Sequence, residues 1–206
     1  MRIAEVNRTT KETDVKLEIC LDSFTGAKID SGSGFFNHML NLFFSFAKIG
    51  ARLKVEGDTE VDFHHSAEDI GIALGEAFLT ALGDKAGIMR YGECLMPMDE
   101  ALVMVAIDFS GRAHLSYELP LRASRLGDDG EESGAKVGVF DTELVEEFLA
   151  ALSRSAKMTI HVKKIAGRNT HHTIEALFKG LGRAVREAVA IDPVYSDVLP
   201  STKGVL

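Results

Sequence analysis

The sequence predicts an α+β fold made of an internally duplicated ββαβα unit, giving two sheets with helices packed on one face of each. Three observations predict it. Stretches that alternate apolar and polar residues stand apart from stretches with apolar residues at helical spacing, a segregated pattern of strands and helices. The second half repeats the element order of the first. The repeat is also explicit: at a constant offset (64 to 171) His64-His65 falls on His171-His172, Glu68 on Glu175, Leu74 on Leu181, Gly75 on Gly182 and Ala77 on Ala184. Upstream, Phe36-Asn37 falls on Phe140-Asp141 at a slightly shorter offset, which implies a small length difference in the loops between. The 206 residues therefore read as one domain of two repeats, about 1–92 and 93–193, with a tail over 194–206.

Each element follows from local pattern. Ile3 to Leu21 alternates around Val6, Val15, Leu17 and Ile19, predicting two strands about a turn at Lys11-Glu12. Ile29 to Gly34 is rich in Ser and Gly and reads as a loop. Phe35 to Ala47 places Phe36, Leu40, Phe43 and Ala47 on one stripe, predicting a helix. A strand over Ala51–Val55 and a helix over Ser66–Leu82 follow, with His64 and His65 in the first helical turn or just before it. The second half gives strands over Ala101–Asp108 and His114–Leu119, joined at Ser110-Gly111-Arg112. It then gives a helix over Asp141–Arg154, a strand over Thr159–Val162 and a helix over Thr170–Ala190. Ser124 to Ala135, with three glycines among charged residues, reads as a long loop.

Composition narrows the function. A hydrophobic content of 46% and a charged content of 26% are those of an ordinary folded domain. A formal net charge of -8 argues against a nucleic-acid-binding surface, which needs clustered Lys and Arg, but leaves room for a local basic pocket. No stretch approaches the roughly 20 apolar residues that span a bilayer, and Met1 to Arg8 lacks the apolar run of a signal peptide. The two cysteines, Cys20 and Cys94, have no metal-type spacing and read as core fillers, so a reduced, cytoplasmic protein is expected.

Four of the seven histidines form adjacent pairs, each followed three residues later by a glutamate: His64-His65…Glu68 and His171-His172…Glu175. On a helix, His64 and Glu68 share a face, while His65 points about 100° away. Adjacent histidines of this kind reach two sites more naturally than one. Imidazole nitrogen with carboxylate oxygen suits Mn, Fe, Co, Ni or Zn, and the lack of companion cysteines lowers the case for structural zinc. His38 in the first helix and His161 in the strand before the second cluster join the candidate set. The candidate metal ligands are thus His38, His64, His65, Glu68, His161, His171, His172 and Glu175, enough for two sites of four. His114 has no cluster around it and reads as structural.

The chain resembles the imidazoleglycerol-phosphate dehydratases over essentially its whole length. The matching strings are Arg8–Thr13, Gly34–Leu40, His64–Asp69, Gly87–Gly92, Pro97–Ala101, Asp108–Arg112, Phe140–Leu144, His171–Glu175 and Pro200–Gly204. The resemblance implies a lyase of histidine biosynthesis that dehydrates D-erythro-imidazole glycerol phosphate to imidazole acetol phosphate. It implies two Mn(II) ions per active site, held by the candidate ligands above, and a homo-oligomeric cage of 24 subunits with active sites where subunits meet. The chemistry is consistent with such ligands. The proton to be removed is not acidic and no carbonyl is available to take up its electrons. An imidazole deprotonated between two metal ions can serve as the sink. Glu12 matches the family's acidic position near the N-terminus and is the candidate proton shuttle, with Glu175 and His65 as further candidate catalytic residues. Arg90, Arg112, Ser201 and Lys203 match its phosphate-binding positions. Lys179, one turn beyond Glu175, is a further candidate substrate contact.

Three features depart from the family pattern. Asn37 stands where an Asp usually precedes the helix histidine, Leu42 where a Gln often lies, and the loop over Ser124–Ala135 is longer than usual. Two other readings use the same ligands: a dinuclear metal phosphohydrolase, and a non-catalytic metal-dependent cage protein.

Overall fold

The computed structural model describes residues 1–121 and 136–206; the loop predicted over Ser124–Ala135 lies outside them. The first half runs β1 (Ile3–Thr9), β2 (Thr13–Cys20), β3 (Ala27–Asp30), α1 (Gly34–Ala47), β4 (Gly50–Gly57) and α2 (His64–Leu82). The second runs β5 (Tyr91–Met98), β6 (Ala101–Asp108) and β7 (His114–Glu118), then a two-residue pair, β8 (Lys136–Val137) and β9 (Phe140–Asp141). α3 (Leu144–Ala156), β10 (Thr159–Ala166) and α4 (Thr170–Ala188) complete it. The sheets are topologically identical. Their orders are β1-β2-β4-β3 and β5-β6-β10-β7, and in both the last strand pairs parallel while the other pairings are antiparallel.

Four strands come in addition to those predicted: β3, β5 and the short β8–β9 pair. β3 is short and offers only Ala27 and Ile29 to a two-residue period; its parallel pairing with β4 makes it a strand. β5 carries Pro97, which reads against a strand in sequence. Proline is tolerated there because β5 is the edge of its sheet. The third predicted helix starts later than expected because Phe140 and Asp141 pair with β8 before the chain turns into α3.

The layers run sheet, helix pair, helix pair, sheet. α2 lies on β1 and β2 and packs on α3, while α4 lies on β5 and β6 and packs on α1. The central strands β2 and β6 alternate fully buried residues with more exposed ones because their outer face carries no helix. The halves join through an aromatic core. Phe36 of α1 has ring centroids 5.2 Å from Phe140, 5.4 Å from Phe148 of α3 and 6.2 Å from Phe178 of α4, all fully buried. Two repeat-related glycines set the helix spacing. A Cβ at Gly75 would meet Ser155 and the Ala156 backbone on α3, and one at Gly182 would collide with the Phe43 carbonyl of α1. The duplicated glycine in the sequence is therefore a duplicated close crossing. No helix among the described residues is long and apolar enough to cross a membrane.

Candidate active site

The crossing of α1 and α4 brings three of the predicted ligands together. His171, Glu175 and Lys179 recur every four residues and so line one face of α4. Glu175 is buried. Its Oε2 lies 3.2 Å from His171 Nε2 and 3.5 Å from His38 Nε2 on α1, and its Oε1 accepts from Lys179 Nζ at 2.6 Å. One donor atom from each of His38, His171 and Glu175 lies within 4.8 Å of the others. Burial works to raise the Glu175 pKa. The bond and charge of Lys179, with the two imidazoles, outweigh it and hold the carboxylate below its usual range. The edge-on ring of Phe35 braces His171, at 5.4 Å between centroids. Two imidazoles and an ionised carboxylate at this spacing are a donor set that suits a borderline divalent ion.

The other predicted ligands lie elsewhere in the chain. His64 and His65 open α2, their rings 6.1 Å apart. His65 Nδ1 is 2.9 Å from Asp58 Oδ2, and its Nε2 is 4.0 Å from Glu12 Oε1. The Asp58 bond raises the His65 pKa against partial desolvation. Glu68 pairs with Arg154 of α3 at 3.0 Å. His172 turns away from His171 toward the β5–β6 turn, where its Nδ1 is 2.8 Å from Glu100 Oε2 and its Nε2 3.7 Å from Asp99 Oδ2. The bond from His172 and the N–H of Asn169 hold the Glu100 pKa down to about 2. His161 sits on the outer face of β10, its ring 5.5 Å from that of His114, which sequence left without a neighbour.

The predicted anion-binding residues come from three chain segments that meet at the tail. Arg90 grips Asp108 through Nε at 2.7 Å and Nη2 at 3.1 Å, and donates from Nη1 to the Pro200 carbonyl at 2.8 Å. That last bond brings the tail, with Ser201 and Lys203, beside it. Ser201 Oγ donates to the Val205 carbonyl at 2.8 Å. Arg112 is exposed on the β6–β7 turn, and the adjacent Gly111 touches the C-terminal Leu206. Glu12 is exposed in the β1–β2 turn. Its backbone N–H is held by Thr10 Oγ1 at 3.1 Å and its carbonyl by the Asp58 N–H at 3.1 Å.

The two departures within the described residues have local explanations. Asn37 Oδ1 accepts from both the N–H and the hydroxyl of Ser31, each at 2.7 Å, tying the β3–α1 loop to the helix that carries His38. A neutral carbonyl suffices for both bonds. Leu42 packs against the core rim. Sequence reasoning assigned no role to Asp58, Asp99, Glu100, Asp69 or Asp108. Asp69, Asp99, Glu100 and Asp108 lie inside the matching strings, which is the signal that could have found them.

The model of the imidazoleglycerol-phosphate dehydratase family matches residues 31–185. The dehydratase of Desulforamulus reducens is 51% identical over 205 residues, covering 100% of this chain and 98% of the relative. That of Bacillus velezensis is 52% identical over 206 residues and 100% of both chains. Among solved structures, the Staphylococcus aureus dehydratase superposes with a TM-score of 0.79 at 39% identity, covering 92% of this chain and 99% of that one. The Pyrococcus furiosus enzyme superposes with a TM-score of 0.78 at 35% identity, covering 98% and 100%. In sequence over its full length and in the architecture that carries these residues, the chain belongs to the imidazoleglycerol-phosphate dehydratase family, and it is a hydro-lyase of histidine biosynthesis.

Proposed function

We propose that the chain removes water from D-erythro-imidazole glycerol phosphate to give imidazole acetol phosphate. The observation that carries the reading is the His38–Glu175–His171 cluster, backed by Lys179. Two Mn(II) ions per active site are proposed, held by His38, His64, His65, Glu68, His161, His171, His172 and Glu175. Bound there, they would supply Lewis-acid stabilisation of the substrate's imidazole as imidazolate, giving the departing proton's electrons a sink. Glu12, on its exposed turn facing His65, moves the proton between carbon and solvent. Glu175 and His65 orient the reacting carbons, and Lys179 reaches the substrate from the same helix face as Glu175. Arg112, Ser201 and Lys203 hold the phosphate, with Arg90 fixing the tail and adding its guanidinium charge.

Within one chain the proposed ligands occupy separate places: the α1–α4 crossing, the start of α2, the β5–β6 turn side of α4, and the outer face of β10. That separation supports a homo-oligomer with active sites shared between subunits, 24 in the proposed cage, working in the cytoplasm. The test is product analysis by proton and phosphorus NMR with Mn-loaded protein. Ketone with the phosphate ester intact is the expected outcome. Release of inorganic phosphate would instead point to a hydrolase, and no reaction with metal bound to a storage cage.

A further inference from the structure

We infer that Asp58 and Glu100 are positioning residues that fix the ring tautomers of His65 and His172, so that each imidazole presents a bare Nε2 to a metal ion. The inference rests on the metal-binding reading above. His65 and His172 are equivalent in the duplication, but the carboxylates that hold them are not. Asp58 lies in the loop between β4 and α2, and Glu100 in the turn between β5 and β6. Two unrelated places in the fold thus deliver the same group to the same ring atom, at 2.9 Å and 2.8 Å. A contact carried along passively by duplication would recur at equivalent positions, and this one does not.

The chemistry sets the direction of the bond. An ionised carboxylate only accepts, so Nδ1 must carry the proton in both rings. A neutral imidazole has one N–H, which leaves the Nε2 lone pair free. That is the form a divalent metal binds, and an outer carboxylate on the far nitrogen also strengthens the ligand. The two Nε2 atoms look toward equivalent places: the first hairpin turn of each half, where Glu12 lies 4.0 Å from His65 and Asp99 3.7 Å from His172.

The two carboxylates are held differently, and this makes the inference testable. Asp58 Oδ1 is buried with no hydrogen-bond partner among the described residues. Asn at 58 can therefore keep its oxygen on His65 and lose no other bond. Glu100 uses both oxygens: Oε1 accepts from the N–H of Asn169 at 2.8 Å and of Arg168 at 3.3 Å, and Oε2 faces His172. Gln at 100 must turn its NH2 group on one of those donors.

The experiment is titration of the metal-free full chain with Mn(II), with free ion read by EPR. It compares wild type, D58A, D58N, E100A, E100Q and E60Q; Glu60 is exposed in the same loop as Asp58 and controls for lost charge. D58A, E100A and E100Q are expected to bind roughly 10–100-fold more weakly. D58N should stay within roughly threefold of wild type because a neutral acceptor keeps the bond, and E60Q should match wild type. Wild-type binding with D58A, E100A and E100Q all equal to E60Q would overturn the inference and leave the metal reading standing. Wild type that binds no Mn(II) would overturn the metal reading itself. If an alanine variant fails to fold, equal affinities for D58N and E100Q overturn the inference.

Discussion

Arg8 on β1 donates from Nε to Oδ1 of Asp69 on α2 across 2.9 Å, and the Thr13 hydroxyl on β2 donates to the other oxygen of the same buried carboxylate. Asp69 thus braces both strands that enter the turn bearing Glu12, from the residue next to Glu68. Removing it leaves a guanidinium and a buried hydroxyl without their acceptor. Asp69→Ala should cost about 2–3 kcal/mol of stability, read from urea unfolding, with Asp69→Asn losing less. Unchanged unfolding of both variants would show the brace to be idle.

Arg2 and Asp22 close the opposite end of the first sheet. The Arg2 backbone N–H, Nε and Nη2 all reach the Asp22 carboxylate, at 2.6, 2.9 and 2.6 Å, while Nη1 donates to the Val189 carbonyl just beyond α4. The Arg2 hydrogen bonds hold the Asp22 carboxyl below its ordinary value of 3.8, against a small desolvation penalty. The folded pKa is the lower one. The contribution is therefore complete above the unfolded value and fades as pH falls through the folded one. Asp22→Asn should be less stable than wild type by about 1 kcal/mol near neutrality. The gap should narrow in acid below the ordinary carboxylate range. A gap that widens on acidification would contradict this sign.

Arg112 on the β6–β7 turn and Lys203 in the tail are both exposed, and neither makes an ion pair among the described residues. Arg112→Ala and Lys203→Ala should each raise KM by about 10–100-fold, the value of one charge-assisted bond, with a smaller effect on kcat. Steady-state kinetics decide it. A fall in kcat at constant KM would move these residues from binding to chemistry.

His65 and His171 sit on different helices and contact different partners. If one active site takes them from different subunits, His65→Ala and His171→Ala should each be inactive alone. Refolded together, they should recover about a quarter of wild-type activity, the statistical share of sites with both histidines intact. No recovery on mixing would place both in one protomer's site.

Helical period made α1 legible, because Phe36, Leu40, Phe43 and Ala47 repeat at the spacing of a buried stripe. The duplication made the histidine clusters legible, since a pair with its glutamate twice over is not surface scatter. β3 was not legible: four residues give too few alternations, and its existence depends on β4 beside it. Nor were Asp58 and Glu100. A carboxylate in a turn has no period, and its partner is decided only when the sheet and helix close on each other. Strand spacing likewise does not say which face His161 looks from; the packing of helices on the other side of the second sheet does.

The most direct test is turnover of imidazoleglycerol phosphate by the Mn-loaded protein beside the same preparation of His171→Ala and a chelated wild type. Ketone formation by the loaded wild type alone is the predicted result. Equal turnover in His171→Ala, or in the chelated protein, would contradict a site centred on the His38–Glu175–His171 cluster.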